Sequence, residues 1–232
     1  MRKRIIVITG TRKGIGKELA EYYLAKGYFV AGCSRGGKSI DNPDYTHYQL
    51  DIADEKSAVK TIRDIYKKHH RIDVLLNNAG IASMNHLLLT PTDTARRVFD
   101  TNFFGTFIFL REIAKIMIKQ KYGRIVNFST VAVPLKLEGE AVYSASKSAV
   151  ETLTKIAAKE LGKFGVTVNA LGPTPIQTDL IKAIPKLKID NLLNSQAIRR
   201  FGEFSDITNL VDFFIDDKSN FITGQVIFLG GV

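Results

Sequence analysis

Cysteine is almost missing from this 232-residue chain: Cys33 stands alone, so no intrachain disulfide can form and a reducing, cytoplasmic setting is expected. No apolar run approaches the ~20 residues needed to cross a bilayer, so no membrane association is expected. Arg2-Lys3-Arg4 ahead of Ile5-Ile6-Val7-Ile8 has a faint look of a signal peptide. The apolar stretch is too short for one and runs into a glycine turn, which fits a buried first strand. Repeats, low-complexity tracts and linkers are also lacking, and residues 1–232 read as one α/β domain. Helix-turn-helix, zinc and aromatic RNA-reading motifs are absent and the basic residues are scattered, so neither a metal nor nucleic acid is expected. The net charge of +10 fits a solvated basic surface, or attraction for anionic small molecules or an acidic carrier protein, and does not choose between them.

What is present is alternation. Residues 5–9, 29–33, 47–50, 74–77, 125–129, 166–171 and 225–229 read as strands; 14–26, 54–69, 92–119, 142–163 and 205–215 read as helices. Ile5-Ile6-Val7-Ile8 and Asp73-Val74-Leu75-Leu76 lack polar alternation, as strands covered on both faces do. The pattern predicts a Rossmann-like, doubly wound parallel sheet of about seven strands. Ligands of such a sheet lie outside the carboxyl ends of its strands. Only 15 residues separate Arg35 from Asp51, too few for a crossover helix, so that connection should be mostly loop. Residues 184–204, with Pro185, scattered lysines and weak periodicity, read as a mobile segment near the site mouth.

Thr9-Gly10-Thr11-Arg12-Lys13-Gly14-Ile15-Gly16 follows the first strand and opens a helix. Glycines in such a turn permit a tight bend, close backbone approach to a pyrophosphate and close helix–strand packing. The helix N-terminus adds free N–H groups and a positive dipole. A purely structural turn is the plain alternative. The second strand ends in Ser34-Arg35, with Lys38 close behind and Arg12-Lys13 in the loop. A carboxylate there would suit the ribose hydroxyls of NAD, whereas a guanidinium grips a 2′-phosphate through two parallel hydrogen bonds. Asp41 lies too far past the strand end to serve as that carboxylate. NADPH/NADP+ is therefore expected in preference to NADH.

Tyr143 and Lys147, in Tyr143-Ser144-Ala145-Ser146-Lys147, share one helix face. A free phenol titrates near ~10. A neighbouring ammonium favours phenolate and lowers that value toward the working range of a general acid. A phosphate loop followed some 130 residues later by such a pair suggests a carbonyl reductase, with hydride moving to carbon and a proton to oxygen. Phe103, Phe104, Phe107 and Phe109 have helical spacing, which fits core packing or a subunit interface better than a ligand box.

In order along the chain, these motifs resemble the short-chain dehydrogenase/reductase family over nearly the whole length. Asp51-Ile52, Asn77-Asn78-Ala79-Gly80, Asn102, Val168-Asn169, Thr178-Asp179 and Ile222-Thr223-Gly224-Gln225 add to the match. The resemblance implies that Asp51 and Ile52 flank the adenine and that Asn78, Ala79 and Gly80 line the adenosine ribose. It implies that Ile176 and Thr178 meet the nicotinamide carboxamide, beside Pro173. Lys147 is implied to hydrogen-bond the nicotinamide ribose, and Asn102 to hold a proton-relaying water behind it. The family's serine, typically 13 residues before the tyrosine, falls here on Thr130, with Ser129 one residue earlier. Strand alternation sends the two hydroxyls to opposite sides, and Thr130 is preferred.

Two stretches depart from the family pattern. Gly172-Pro173-Thr174-Pro175 stands where the family has Pro-Gly, and Val131-Ala132-Val133-Pro134 replaces a commonly glycine-containing turn; both should reshape the substrate wall. The β-ketoacyl-acyl carrier protein reductases look nearest among subfamilies, through Arg199-Arg200-Phe201-Gly202 and the C-terminal strand. That implies a 3-oxoacyl-thioester substrate and an acidic acyl carrier protein docked by Lys119, Lys121, Arg124 and Lys163. Reduction of a small-molecule or sugar ketone, or a non-catalytic dinucleotide-binding regulatory role, are the alternatives. Relatives usually form tetramers or dimers, so a homotetramer or homodimer is expected.

Overall fold

The computed structural model of the chain describes residues 3–176 and 186–232. Seven parallel strands form its centre: β1 (Ile5–Thr9), β2 (Phe29–Ser34), β3 (Tyr45–Gln49), β4 (Val74–Asn77), β5 (Gly123–Phe128), β6 (Val166–Gly172) and β7 (Val226–Phe228). They lie in the order β3-β2-β1-β4-β5-β6-β7. The direction of winding reverses between β1 and β4, and a sheet that reverses leaves a crevice at the carboxyl ends of its strands. Helices α1 (Gly14–Ala25), α2 (Glu55–His69), α3 (Thr92–Phe99), α4 (Gly105–Gln120), α5 (Ala132–Leu135), α6 (Ala141–Leu161), α7 (Lys186–Asn194) and α8 (Phe204–Ile215) complete the described chain.

The unbroken apolar run of β1 has a direct cause. Ile5 and Val7 pack with Ile62, Phe109, Ile113 and Ala157 of α2, α4 and α6, whereas Ile6 and Ile8 pack with Leu19, Tyr23, Val211 and Phe214 of α1 and α8. Both faces are covered, and each buried aliphatic contributes ~1.5–3 kcal/mol relative to exposure. The β2–β3 connection contains no helix, as its length requires, and leaves β3 at the sheet edge. Phe109 is part of the core, while Phe104 remains half exposed and Phe103 stacks on Phe107.

Two segments differ from the sequence expectation. The single helix expected over 92–119 is interrupted by a π-helical turn, Asp100–Phe104, between α3 and α4. The wider turn carries Asn102, whose side chain is fully buried; such turns collect at functional sites. Within the stretch expected to be irregular, residues 186–194 form α7, and Gln196 just beyond it is buried. Among the described residues no helix is long and apolar enough to cross a membrane.

Candidate active site

The site assembles where β1, β4, β5 and β6 end. Past β1, Gly10 and Gly14 adopt φ of +81° and +59°, which favours glycine at both positions. A Cβ on Gly16 would lie 2.3 Å from both the Gly10 carbonyl oxygen and Asn78 Nδ2, so no side chain fits there. Gly14 instead has nothing within 4 Å of the place a Cβ would occupy. No side chain caps α1, and its first turn carries no acid. Its leading N–H groups are therefore left for an external acceptor beside an open, positively polarised cradle. That arrangement fits a pyrophosphate. Lys13 and Ile15 border the cradle, and Asn78 closes it by donating to the Thr9 carbonyl at 2.9 Å while Ala79 N donates to Thr9 Oγ1 at 2.9 Å.

Past β2, Arg35 is exposed and Ser34 Oγ donates to the Gly36 carbonyl at 3.0 Å. The Arg12 side chain packs over Gly36, where a Cβ would meet its Nη1 at 2.4 Å. Arg12 and Arg35 thus belong to adjoining loops, an arrangement able to receive a dianion. Lys38 is paired with Asp41 at 3.0 Å and is less free for that task. Farther along the sheet top, Ile52 is buried against Gly105 of α4 while Asp51 stays exposed.

The reacting end lies between β4, β5 and α6. Lys147 is buried, and its Nζ donates to the Phe128 carbonyl at 2.7 Å. With only a neutral acceptor to compensate, burial pushes its pKa down to about 8. Burial also pushes the Tyr143 phenol up to about 12; a hydrogen bond with Thr130 opposes the rise and Glu140 adds to it. The expectation that Lys147 lowers the Tyr143 pKa is thus corrected: burial is the largest influence on the phenol, and it raises the value. The opposing contribution comes from the Thr130 hydrogen bond.

Ser129 and Thr130 face different partners. Ser129 Oγ hydrogen-bonds Glu151 on α6, whereas Thr130 meets Tyr143 and its Oγ1 accepts from Ala132 N at 3.2 Å. Thr130→Val is accordingly expected to cut carbonyl reduction by at least ten times as much as Ser129→Ala, measured as kcat/KM. The reverse order would move the hydroxyl role to Ser129.

Asn102 works as a brace. Its Oδ1 accepts from Ile81 N at 2.8 Å, and its Nδ2 donates to the Ile81 carbonyl and to Ser146 Oγ, each at 3.0 Å. Ser146 Oγ donates in turn to the Tyr143 carbonyl at 2.7 Å. The side chain thereby ties the β4 exit to α6, with both Nδ2 hydrogens donated and Oδ1 keeping one acceptor site. Gly80 makes room for this arrangement, since a Cβ there would sit 3.2 Å from Asn102 Oδ1 and 3.3 Å from Lys147 Nζ. Ser146 was missed in the sequence; its place inside the Tyr143-to-Lys147 turn was the available signal.

Past β6, Pro173 accepts from Val131 N at 3.3 Å, and Ile176 is buried in a bridge with Gly202. Thr174 is buried, and among the described residues its hydroxyl has no hydrogen-bond partner. Thr178 lies outside the described residues. Of the docking residues, Arg124 is removed: its side chain is 4% exposed, stacks on Tyr122 and lies 3.8 Å from Asp217. Lys119, Lys121 and Lys163 are exposed, at the end of the sheet opposite Tyr143 of the same chain.

Comparison with known proteins gives a consistent result. A family model described as short chain dehydrogenase matches residues 4–208. A 3-oxoacyl-[acyl-carrier-protein] reductase of Staphylococcus epidermidis is 33% identical, covering 97% of this chain and 96% of the relative. The enzyme of that description from Buchnera aphidicola is 33% identical over 100% and 97% of the two chains. Among solved structures, ElxO with NADP bound superposes with a TM-score of 0.90 at 32% identity, covering 98% of this chain and 97% of that one. A short-chain type dehydrogenase/reductase from Mycobacterium ulcerans gives 0.89 at 28% identity, over 99% and 89%. The family model spans most of the chain and the relatives are matched over nearly their whole length, so the chain belongs to the short-chain dehydrogenase family.

Proposed function

We propose that this protein is an NADPH-dependent reductase of carbonyl compounds. The observation that carries the reading is the convergence of Thr130, Tyr143 and Lys147 beside an uncapped glycine cradle. NADPH, when bound, supplies the hydride to the carbonyl carbon. Tyr143, protonated at neutral pH, donates its hydroxyl proton to the carbonyl oxygen. Thr130 holds that phenol and is placed to polarise the same oxygen. Lys147 is oriented by Phe128 and offers a buried cation toward the nicotinamide ribose, while Asn102 and Ser146 fix α6 relative to the β4 exit. Gly10, Gly14, Ile15 and Gly16 would hold the pyrophosphate, and Arg12, Lys13, Ser34 and Arg35 the 2′-phosphate. Asp51, Ile52, Asn78, Ala79 and Gly80 would frame the adenosine, and Pro173, Ile176 and Thr178 the nicotinamide. The NADP- and NADPH-bound structures of ElxO support this cofactor choice.

For substrate we favour a 3-oxoacyl thioester on an acyl carrier protein, which is what the Staphylococcus and Buchnera relatives are named for. The positions of Lys119, Lys121 and Lys163 mean that a carrier bound there would reach a Tyr143 only in a neighbouring subunit. A dimer or tetramer is part of the proposal for that reason, and the half-exposed Phe104, in the π-helical turn just before α4, supports it. The lone Cys33, buried with its thiol pushed up to about 12 by burial, is unreactive and suits a cytoplasmic enzyme.

The test is the initial rate of NADPH consumption with an acetoacetyl thioester, run beside NADH and beside a small sugar ketone. Turnover favouring NADPH and the thioester supports the reading. Arg35→Asp should then lower the NADPH-over-NADH preference by about 10- to 100-fold, the weight of a charge-assisted phosphate contact. Turnover of the sugar ketone alone would favour the small-molecule alternative. Tight NADPH binding without turnover of any carbonyl would favour a regulatory role.

A further inference from the structure

Neither the chemistry nor the family motifs account for a row of polar side chains beneath the 2′-phosphate end of the site. Thr11 Oγ1 and the Tyr45 hydroxyl are 2.8 Å apart, both buried. The Tyr45 hydroxyl lies 2.9 Å from His47 Nδ1, and His47 Nε2 lies 2.8 Å from the Gly36 carbonyl and 3.3 Å from Ser34 Oγ. A carbonyl can only accept, so Nε2 carries the proton and Nδ1 accepts from the tyrosine. The bonds then run one way, from Thr11 through Tyr45 and His47 to Gly36.

The ends of this row matter. Thr11 lies in the phosphate loop immediately before Arg12 and Lys13; Gly36 immediately follows Ser34 and Arg35. These are the two loops whose cations face a 2′-phosphate. The packing makes room for the row: His47 is paired across the strands with Gly32, where a Cβ would sit 2.4 Å from the Tyr45 hydroxyl and 2.5 Å from Thr11 Oγ1. Gln49 Nε2 adds a bond to the Arg35 carbonyl at 3.1 Å. An NADH-binding site has no 2′-phosphate to grip and needs no fixed spacing between these loops.

We infer that His47 is a positioning residue for cofactor selectivity: with Tyr45 it clamps the Arg12–Lys13 loop to the Ser34–Arg35 loop, so that their cations are pre-set for a 2′-phosphate. It touches no cofactor itself. The inference rests on the NADPH reading, and the wild-type preference between NADPH and NADH tests that reading separately.

The experiment measures Kd for NADPH and NADH by fluorescence titration of the wild type, His47→Phe, His47→Gln and Tyr45→Phe. Thermal melts run in parallel. His47→Phe keeps the bulk and removes both bonds; it should weaken NADPH about tenfold, the value of a misplaced charge-assisted contact, with NADH unchanged. His47→Gln, whose amide can still donate to Gly36, should recover most of the loss. Tyr45→Phe cuts the link to Thr11 and should weaken NADPH selectively, which keeps the inference testable if His47→Phe does not fold. Equal weakening of NADPH and NADH, or unchanged NADPH affinity in folded variants, overturns it.

Discussion

Tyr143→Phe is expected to lower kcat for carbonyl reduction by about 10²–10⁴-fold, the usual weight of a positioned general acid. NADPH affinity should stay close to that of the wild type. The substitution removes one oxygen and keeps the ring, so the packing of α6 against β5 is not disturbed. Thr130 loses the phenol but still accepts from Ala132 N at 3.2 Å, so its Oγ1 is not stranded. The cradle of Gly10, Gly14 and Gly16 and the loops bearing Arg12 and Arg35 are untouched, which is why binding is spared. Single-turnover absorbance of NADPH, read beside a binding titration, separates the two effects. Turnover within tenfold of the wild type would mean that the proton reaches the carbonyl by another route, and the role given to Tyr143 would fall.

The sequence was most legible where one physical requirement acted alone. β1 and β4 were readable to the residue because burial on both faces permits nothing but apolar side chains over Ile5–Ile8 and Val74–Leu76. Gly16 was readable because no Cβ fits within 2.3 Å of a carbonyl. Legibility failed where two requirements overlapped. The π-helical turn at Asp100–Phe104 keeps a helical pattern on either side, so periodicity passes over it although it carries Asn102 inward. α7 mixes lysines with leucines in an order that helical periodicity weakly supports. Spacing placed Tyr143 and Lys147 on one face, but it could not show that the Lys147 ammonium is spent on the Phe128 carbonyl. Nor could it show His47 reaching Gly36, because that contact depends on how β3 registers on β2.

Lys147→Met is the second large effect, and it should separate activity from stability. Lys147 titrates near 10.5 when unfolded and at about 8 in the buried site. Between those values the unfolded chain binds more protons than the native one, so the native state gains stability as pH rises through that window. Below pH 8 the full cost of the buried ammonium is present, about 3 kcal/mol for a shift of this size. Methionine fills similar space without a charge, though it leaves the Phe128 carbonyl without its donor, at a cost of about 1–3 kcal/mol. The variant should therefore match or exceed the wild type in Tm near pH 7, and the wild type should gain on it steadily from pH 8 to 10. Reduction should meanwhile fall by at least a hundredfold in the variant, and in the wild type kcat/KM should decline above about pH 8 as the ammonium is lost. Melting curves and initial rates across pH 6–10 test both halves. A Tm difference that stays constant with pH would mean that Lys147 is not strained by burial. A variant that still turns over would remove Lys147 from the mechanism and leave Thr130 and Tyr143 to act alone.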